Sequence, residues 1–264
     1  MSTGHADRTG PARKRVCLIT GASGVLGSYF CANYSDRYDI VAVYRNNRPP
    51  VATQDATFVD PLAPDGDMRE RARPPVFAIR ADITDERECD RVAELALARF
   101  DKVDLLVNGA VHSVWSPMLT SDHLRRSAQY QFLTNVVAPL NMATAVSRMF
   151  WQGRDEENRA ENRNVVNLSS VAGLRIYSGL GQSIYAASKA ALNALTGHMA
   201  QEFAALGVRV NATAANSFPS IVPTLRAADA IVRLDSGSEN GLIVVVDGAE
   251  DTVVQLSPYQ QVQG

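Results

Sequence analysis

The sequence predicts an α/β fold: a doubly wound, mostly parallel sheet of seven strands with helices on both faces. Three observations carry that expectation. Short apolar runs alternate with longer stretches of helical periodicity along the chain, which is the pattern of repeated strand-helix-strand crossovers. The first run, Val16–Thr20, closes on three glycines, Gly21, Gly24 and Gly27. The chain has 264 residues, 46% of them hydrophobic and 20% charged, enough for one domain with a full-sized core. No repeat, linker or low-complexity block divides it, so residues 1–14 are expected to be a disordered tail and 15–264 a single domain.

After the first strand come Gly21-Ala22-Ser23-Gly24-Val25-Leu26-Gly27, and a helix pattern runs from Val25 to Tyr34. Strand, glycine turn and helix form the dinucleotide-binding arrangement. The glycines let the backbone approach a pyrophosphate, which sits on the free amides of the helix N-terminus. Ile40–Tyr44 is the second strand, and its end selects the cofactor. A carboxylate there would bond the ribose 2′-OH of NAD, whereas arginine accommodates a 2′-phosphate. The chain offers Tyr44-Arg45-Asn46-Asn47-Arg48, so NADP(H) is expected.

Residues 45 to 75 are rich in proline and lack periodicity, which predicts a long irregular, partly mobile excursion. Val76–Arg80 returns as a strand, and Asp82-Ile83-Thr84-Asp85 leads into a helix over Glu86–Phe100. Thr84 or Asp85 caps that helix, while Asp82 either contacts adenine or caps the turn. Leu105–Asn108 is the fourth strand. It closes on Asn108-Gly109-Ala110, small groups against which a nucleotide can lie. Ser121–Phe150 has helical periodicity with Asn135 inside it, and Pro139 one turn later is expected to kink the helix and loosen the carbonyls before it. Residues 154–159 read as a charged loop, Val165–Leu168 as the fifth strand and Ser183–Leu206 as a long helix. Val208–Ala212 is the sixth strand, Leu225–Leu234 a helix and Leu242–Val246 the last strand.

Reactive chemistry concentrates between Ser169 and Lys189. Tyr185 and Lys189 stand at i and i+4 of a helix, so they share a face one turn apart. An ammonium beside a phenol favours the phenolate, which predicts a Tyr185 pKa drawn from about 10 toward neutrality. A tyrosine and a lysine four apart recur by chance, and their surroundings decide the matter. Here an apolar strand, then Ser169-Ser170, then the helix put two hydroxyls at the carboxyl end of a strand, where α/β sheets bind ligands.

Composition excludes other classes. The formal net charge of −2 argues against a nucleic-acid partner held through phosphates, and Arg13-Lys14-Arg15 is the single basic run. Cys17, Cys31 and Cys89 and the four scattered histidines lack the clustering of a metal site, so no metal is expected. The first eleven residues hold no apolar core and no run approaches a membrane span, so a cytoplasmic protein is expected.

Taken together, Thr20-Gly21-Ala-Ser-Gly-Val-Leu-Gly27, Asp82, Leu106-Val-Asn108, Asn135, Asn167-Leu-Ser-Ser170-Val-Ala-Gly173, Tyr185-Ala-Ala-Ser-Lys189, Val208-Arg-Val-Asn211 and Val246-Asp247-Gly248 resemble the short-chain dehydrogenase/reductase family in kind and order. The resemblance runs from about Arg15 to Gly248 and implies a Rossmann-type fold. It implies a catalytic set of Asn135, Ser170, Tyr185 and Lys189. Tyr185 would act as general acid, Ser170 as a second donor to the oxyanion, Lys189 on the tyrosine and the nicotinamide ribose, and Asn135 on a water that reconnects Lys189 to solvent. It further implies that the glycine turn, Asp82 with Ile83, and Ser220 hold the cofactor.

The chain departs from the family at three places. Its glycine spacing is TGxxGxxG, as in the branch that often modifies sugar nucleotides, and only the Asn and Ala of an NNAG motif are kept at Asn108-Gly109-Ala110-Val111. Ala215-Asn216 replaces a usual Pro-Gly, after which Phe218–Pro223 leads almost at once into the next helix where the family commonly inserts a substrate lid. A short lid suits a bulky or carrier-attached carbonyl substrate, with the proline-rich excursion as one source of a replacement wall. Three readings stand: a reductase of C=O or C=N groups, an epimerase or dehydratase of a sugar or sugar nucleotide, and a nucleotide-binding protein without catalysis. The long helices imply, by the same resemblance, a homodimer or homotetramer.

Overall fold

The computed structural model describes residues 14–54, 76–119, 121–248 and 250–256. Eight strands, β1 (Arg15–Thr20), β2 (Tyr38–Tyr44), β3 (Val76–Arg80), β4 (Leu105–Asn108), β5 (Asn164–Ser170), β6 (Arg209–Ala215), β7 (Leu242–Val246) and β8 (Asp251–Gln255), lie in the order β3-β2-β1-β4-β5-β6-β7-β8. The first seven pair in parallel, as their uniformly apolar character requires of strands covered on both faces. The eighth corrects the expected count of seven. It turns back antiparallel on β7 with Val246 opposite Asp251, which a short connection allows. Asp251 is fixed there by Arg226 at 2.5 Å and Arg233 at 3.0 Å.

Alternation along each strand divides the core. Leu18, Val41, Leu106 and Val165 face one side, where they meet Val92, Met142 and Met199 from α2 (Glu86–Phe100), α4 (Ala138–Val146) and α6 (Ser183–Ala204). Ile19, Ile40, Val107 and Val166 face the other, against Phe30 of α1 (Val25–Asn33) and Ile231 of α7 (Thr224–Ser236). β1, β2, β4 and β5 therefore each contribute to both cores.

The cap of α2 is Asp85, whose carboxylate accepts from the Arg87 amide at 3.0 Å. The expected helix over 121–150 is one rod of α3 (Asp122–Phe132), a π turn (Leu133–Val137), α4 and a second π turn (Ser147–Trp151). The first π turn lies directly before Pro139. The Ala138 amide bonds Leu133 O five residues back, and Pro139 has no N–H to give to Asn135 O. The charged stretch expected as loop is instead a short helix, α5 (Asp155–Ala160), with Asp155, Glu156 and Glu157 in its first turn and Arg159 in its last, which suits the helix dipole. β5 and β6 outlast their apolar runs because Ser169 and Ser170 pair with Ala214 and Ala215. Of the proline-rich excursion, residues 55–75 lie outside the described residues, as does the tail before Lys14. Before that gap, Gln54 pairs through its side chain with both backbone groups of Ala78, at 2.9 and 2.7 Å, and so covers part of the β3 edge.

Opposite the ligand-binding end, the amino ends of the strands close over a polar cluster. Arg15 forks onto buried Asp235 at 3.0 and 2.8 Å, and the Tyr38 hydroxyl donates to the same carboxylate at 2.8 Å. Removing that carboxylate strands a guanidinium and a buried phenol. Asp235→Ala is expected to cost about 3–5 kcal/mol in urea unfolding. Arg125→Ala, which breaks an exposed 3.8 Å pair with Asp122, should cost less than about 1 kcal/mol.

Candidate active site

The order of strands reverses between β1 and β4, which opens a crevice at their carboxyl ends. Two cavities of about 410 and 280 Å³ share this crevice, both lined by Gly21, Gly24, Gly109 and Val111. Gly21 holds a left-handed φ of 71°, and a Cβ there would stand 2.7 Å from the Ala110 backbone. Thr20 ties the two loops further: its hydroxyl accepts from the Gly109 and Ala110 amides at 3.0 and 3.2 Å. Val25, Leu26 and Gly27 open α1 with amides that no helical carbonyl can accept, and no acidic residue stands in that turn. Bare backbone, free amides and the absence of local negative charge fit a dinucleotide's phosphates.

The smaller cavity runs along Ser23, Tyr44, Arg45, Asn46, Asp82, Ile83 and Ala110. Arg45 lies over the Tyr130 ring at 5.4 Å, with its Nη1 3.9 Å from Asp82 Oδ2. Asp82 also caps its own turn, accepting from the Thr84 hydroxyl at 2.8 Å and the Thr84 amide at 3.2 Å. His112 lines the same cavity, and burial with the nearby Arg45 charge lowers its pKa.

Ser170, Tyr185 and Lys189 meet on the wall of the larger cavity. Ser170 ends β5, and its hydroxyl accepts from the Ala172 amide at 3.2 Å, starting a 3-10 turn over Val171–Gly173. That turn rests on α6 so closely that a Cβ on Gly173 would stand 2.7 Å from the Lys189 carbonyl carbon. Lys189 is 2% exposed, donates to Leu168 O at 2.7 Å and lies 5.9 Å from the centre of the Tyr185 ring. Burial lowers its pKa to about 8.

Tyr185 departs from expectation. Burial raises its pKa, and the hydrogen bond with Ser170 offsets only part of that. The lysine points its ammonium at the Leu168 carbonyl, and desolvation of the phenolate dominates. Tyr185 is therefore a protonated donor at neutral pH.

The remaining expected site residues stand elsewhere. Asn135 is fully buried and lines neither cavity. Its amide donates to His112 O and Ser188 Oγ, both at 2.9 Å, and its oxygen accepts from the His112 amide at 2.8 Å. Asn108 is also turned into the core, bonding Asn167 at 2.9 Å, and Ser220 is exposed outside both linings.

Sequence reasoning missed Ser188, whose hydroxyl donates to Tyr185 O at 2.7 Å and joins the reactive helix to Asn135. It also missed Trp115, 6.2 Å from Tyr185, and Tyr130 beneath Arg45. The i, i+3 spacing of Tyr185 and Ser188 was legible, whereas contacts between distant segments carry no local signal. Among the described residues no group of His, Cys, Asp and Glu is gathered as a metal site, and no helix is long and apolar enough to cross a membrane.

The chain is 32% identical over 140 residues to a 1,6-dihydroxycyclohexa-2,4-diene-1-carboxylate dehydrogenase of Pseudomonas putida, a match covering 53% of this chain and only 47% of that protein's length. It is 25% identical over 251 residues to a diacetyl reductase [(S)-acetoin forming] of Staphylococcus epidermidis, covering 94% and 86% of the two chains. In fold it is similar to the crystal structure of an NADH-dependent reductase, A1-R′, complexed with NAD, with a TM-score of 0.69 and 24% identity over 93% of this chain and 98% of the other. Residues 15–225 match the short chain dehydrogenase family, and the chain belongs to that family of oxidoreductases, which bind nicotinamide cofactors.

Proposed function

We propose that the protein is an NADPH-dependent reductase of carbonyl compounds, ketones or aldehydes, or of a related C=N group. The observation that carries this reading is the convergence of Ser170, a protonated Tyr185 and a buried Lys189 on one cavity wall beside the glycine turn. Bound nicotinamide supplies the hydride to the carbonyl carbon. Tyr185 gives its hydroxyl proton to the carbonyl oxygen, and its raised pKa keeps that proton in place until negative charge develops nearby. Ser170 turns its one hydroxyl proton from Tyr185 to the same carbonyl oxygen when substrate is bound, as a second donor. Below about pH 8 the Lys189 ammonium stabilises the tyrosinate left behind and offers a hydrogen bond to the nicotinamide ribose. Asn135 has its side chain committed, so a water linking Lys189 to solvent would be held by its backbone carbonyl, which Pro139 leaves without its helical donor.

The choice of NADPH rests on Arg45. It stands at the edge of the smaller cavity beside Asn46, with no carboxylate at the end of β2. A 2′-phosphate would compete with Asp82 for its guanidinium. The reading also includes a homodimer or homotetramer, because the rod of α3 and α4 leaves Phe132, Val137, Leu140 and Met149 exposed. Solution scattering is expected to give at least twice the chain mass, and a monomer at micromolar concentration would contradict it.

Titration by nicotinamide fluorescence tests the whole reading. NADPH should bind more tightly than NADH. Arg45→Ala should weaken NADPH binding by about 10- to 100-fold and leave NADH nearly unchanged, as loss of charge-assisted bonds implies. Tyr185→Phe should keep nucleotide binding and lose about 10²- to 10⁴-fold in carbonyl reduction. Equal turnover in Tyr185→Phe would remove Tyr185 as the proton donor, nucleotide binding without turnover of any carbonyl would favour a nucleotide-binding role, and preference for NADH would remove the assignment of Arg45.

A further inference from the structure

Resting on the reductase reading, we propose that the substrate is a neutral carbonyl compound with an extended apolar chain or ring, which lies across a rim of exposed hydrophobic residues at the cavity mouth. Three loops build that rim. The segment after β4 exposes Trp115, Met118 (66%) and Leu119 (97%), the segment before α6 exposes Ile176 (99%) and Leu180, and the segment before α7 exposes Ile221 (60%). The loops adjoin one another. Ser116 N–H donates to Gly181 O at 2.8 Å, and Trp115, Leu180 and Ile221 line the same cavity as Tyr185.

Single exposed hydrophobics are ordinary, but a patch continuous with a reactive cavity calls for an apolar occupant. The substrate itself is that occupant, because exposed Trp115, Leu180 and Ile221 line the cavity that holds Tyr185, and the Trp115 ring lies 6.2 Å from the Tyr185 ring. Electrostatics narrows the class. Among the described lining residues of this cavity, Lys189 is the only charged group, and it is buried against Leu168 O. Arg175, beside Ile176, is engaged by Asp247 and the Tyr177 hydroxyl. A carboxylate or phosphate on the substrate body would leave water for a wall without a free countercharge. A short polar substrate would leave the rim wet.

A matched ketone series with NADPH tests this. From 2-butanone to 2-octanone, kcat/KM should rise about two- to fourfold per methylene, as burial of each CH₂ on the rim implies. At equal length, 7-oxooctanoate should fall at least about tenfold below 2-octanone, and the Leu180→Ser/Ile221→Ser double variant should flatten the length dependence. No dependence on length, or preference for 7-oxooctanoate, would overturn the proposal. Should no ketone be reduced while NADPH still binds, calorimetric titration of both octyl compounds into the NADPH-loaded protein separates the two ideas. Tighter binding of 2-octanone upholds the apolar rim although the reductase reading falls. Equal binding, tighter 7-oxooctanoate, or binding of neither overturns it.

Discussion

The interaction on which the site depends is the burial of the Lys189 ammonium against the Leu168 carbonyl, 2.7 Å away at the end of β5. A cation removed from water is unfavourable unless it is paired, and here one carbonyl does most of the work. Desolvation accordingly lowers the lysine pKa to about 8. The sign follows: the penalty for burying the charge is fully present below pH 8 and is relieved as pH rises from there toward the ordinary lysine value. The buried ammonium lies 5.9 Å from the centre of the Tyr185 ring. Neighbouring features serve that arrangement. Gly173 lets the serine turn seat on α6, and Ser188 with Asn135 anchors the same helix to the His112 backbone.

The two ends of the sheet divide the labour. At the carboxyl ends, backbone groups and small residues leave room beside the amides that open α1, with Lys189 in one cavity and Arg45 and Asp82 in the other. At the amino ends, half-buried Arg15 and the buried Tyr38 hydroxyl both donate to buried Asp235, and Val16 N–H donates to the buried carboxylate of Asp104, which precedes β4. That polar cluster is thus separated by the length of the strands from the residues that line the two cavities.

Much of this was legible in the sequence because it is local. Apolar runs gave the seven parallel strands, and the bounds of β3, α2, β4 and β7 agree with their expected ranges. Gly21 was readable because only glycine takes its φ of 71° without strain. What stayed hidden depends on context. β8 is short and half exposed, and its Thr-Val-Val signal needs β7 beside it to become a strand. The acids of α5 looked like a solvated loop until their placement in a first helical turn was known. Asn108 and Asn135 sit at motif positions, yet the fold points their amides at the core and at a loop backbone, which spacing does not reveal. The Tyr185 pKa lies on the other side of the expectation because burial, which sequence does not report, raises it by more than the Ser170 hydrogen bond lowers it.

The central claim is that Lys189 is a desolvated cation held by one carbonyl at the reactive wall. NMR titration of the protein labelled at the lysine side-chain carbons, with the signal assigned by its loss in Lys189→Met, measures this directly. The account predicts one lysine titrating near pH 8, well below the others. A Lys189 signal that titrates with the bulk lysines, near about 10.4, would show a solvated ammonium and contradict it.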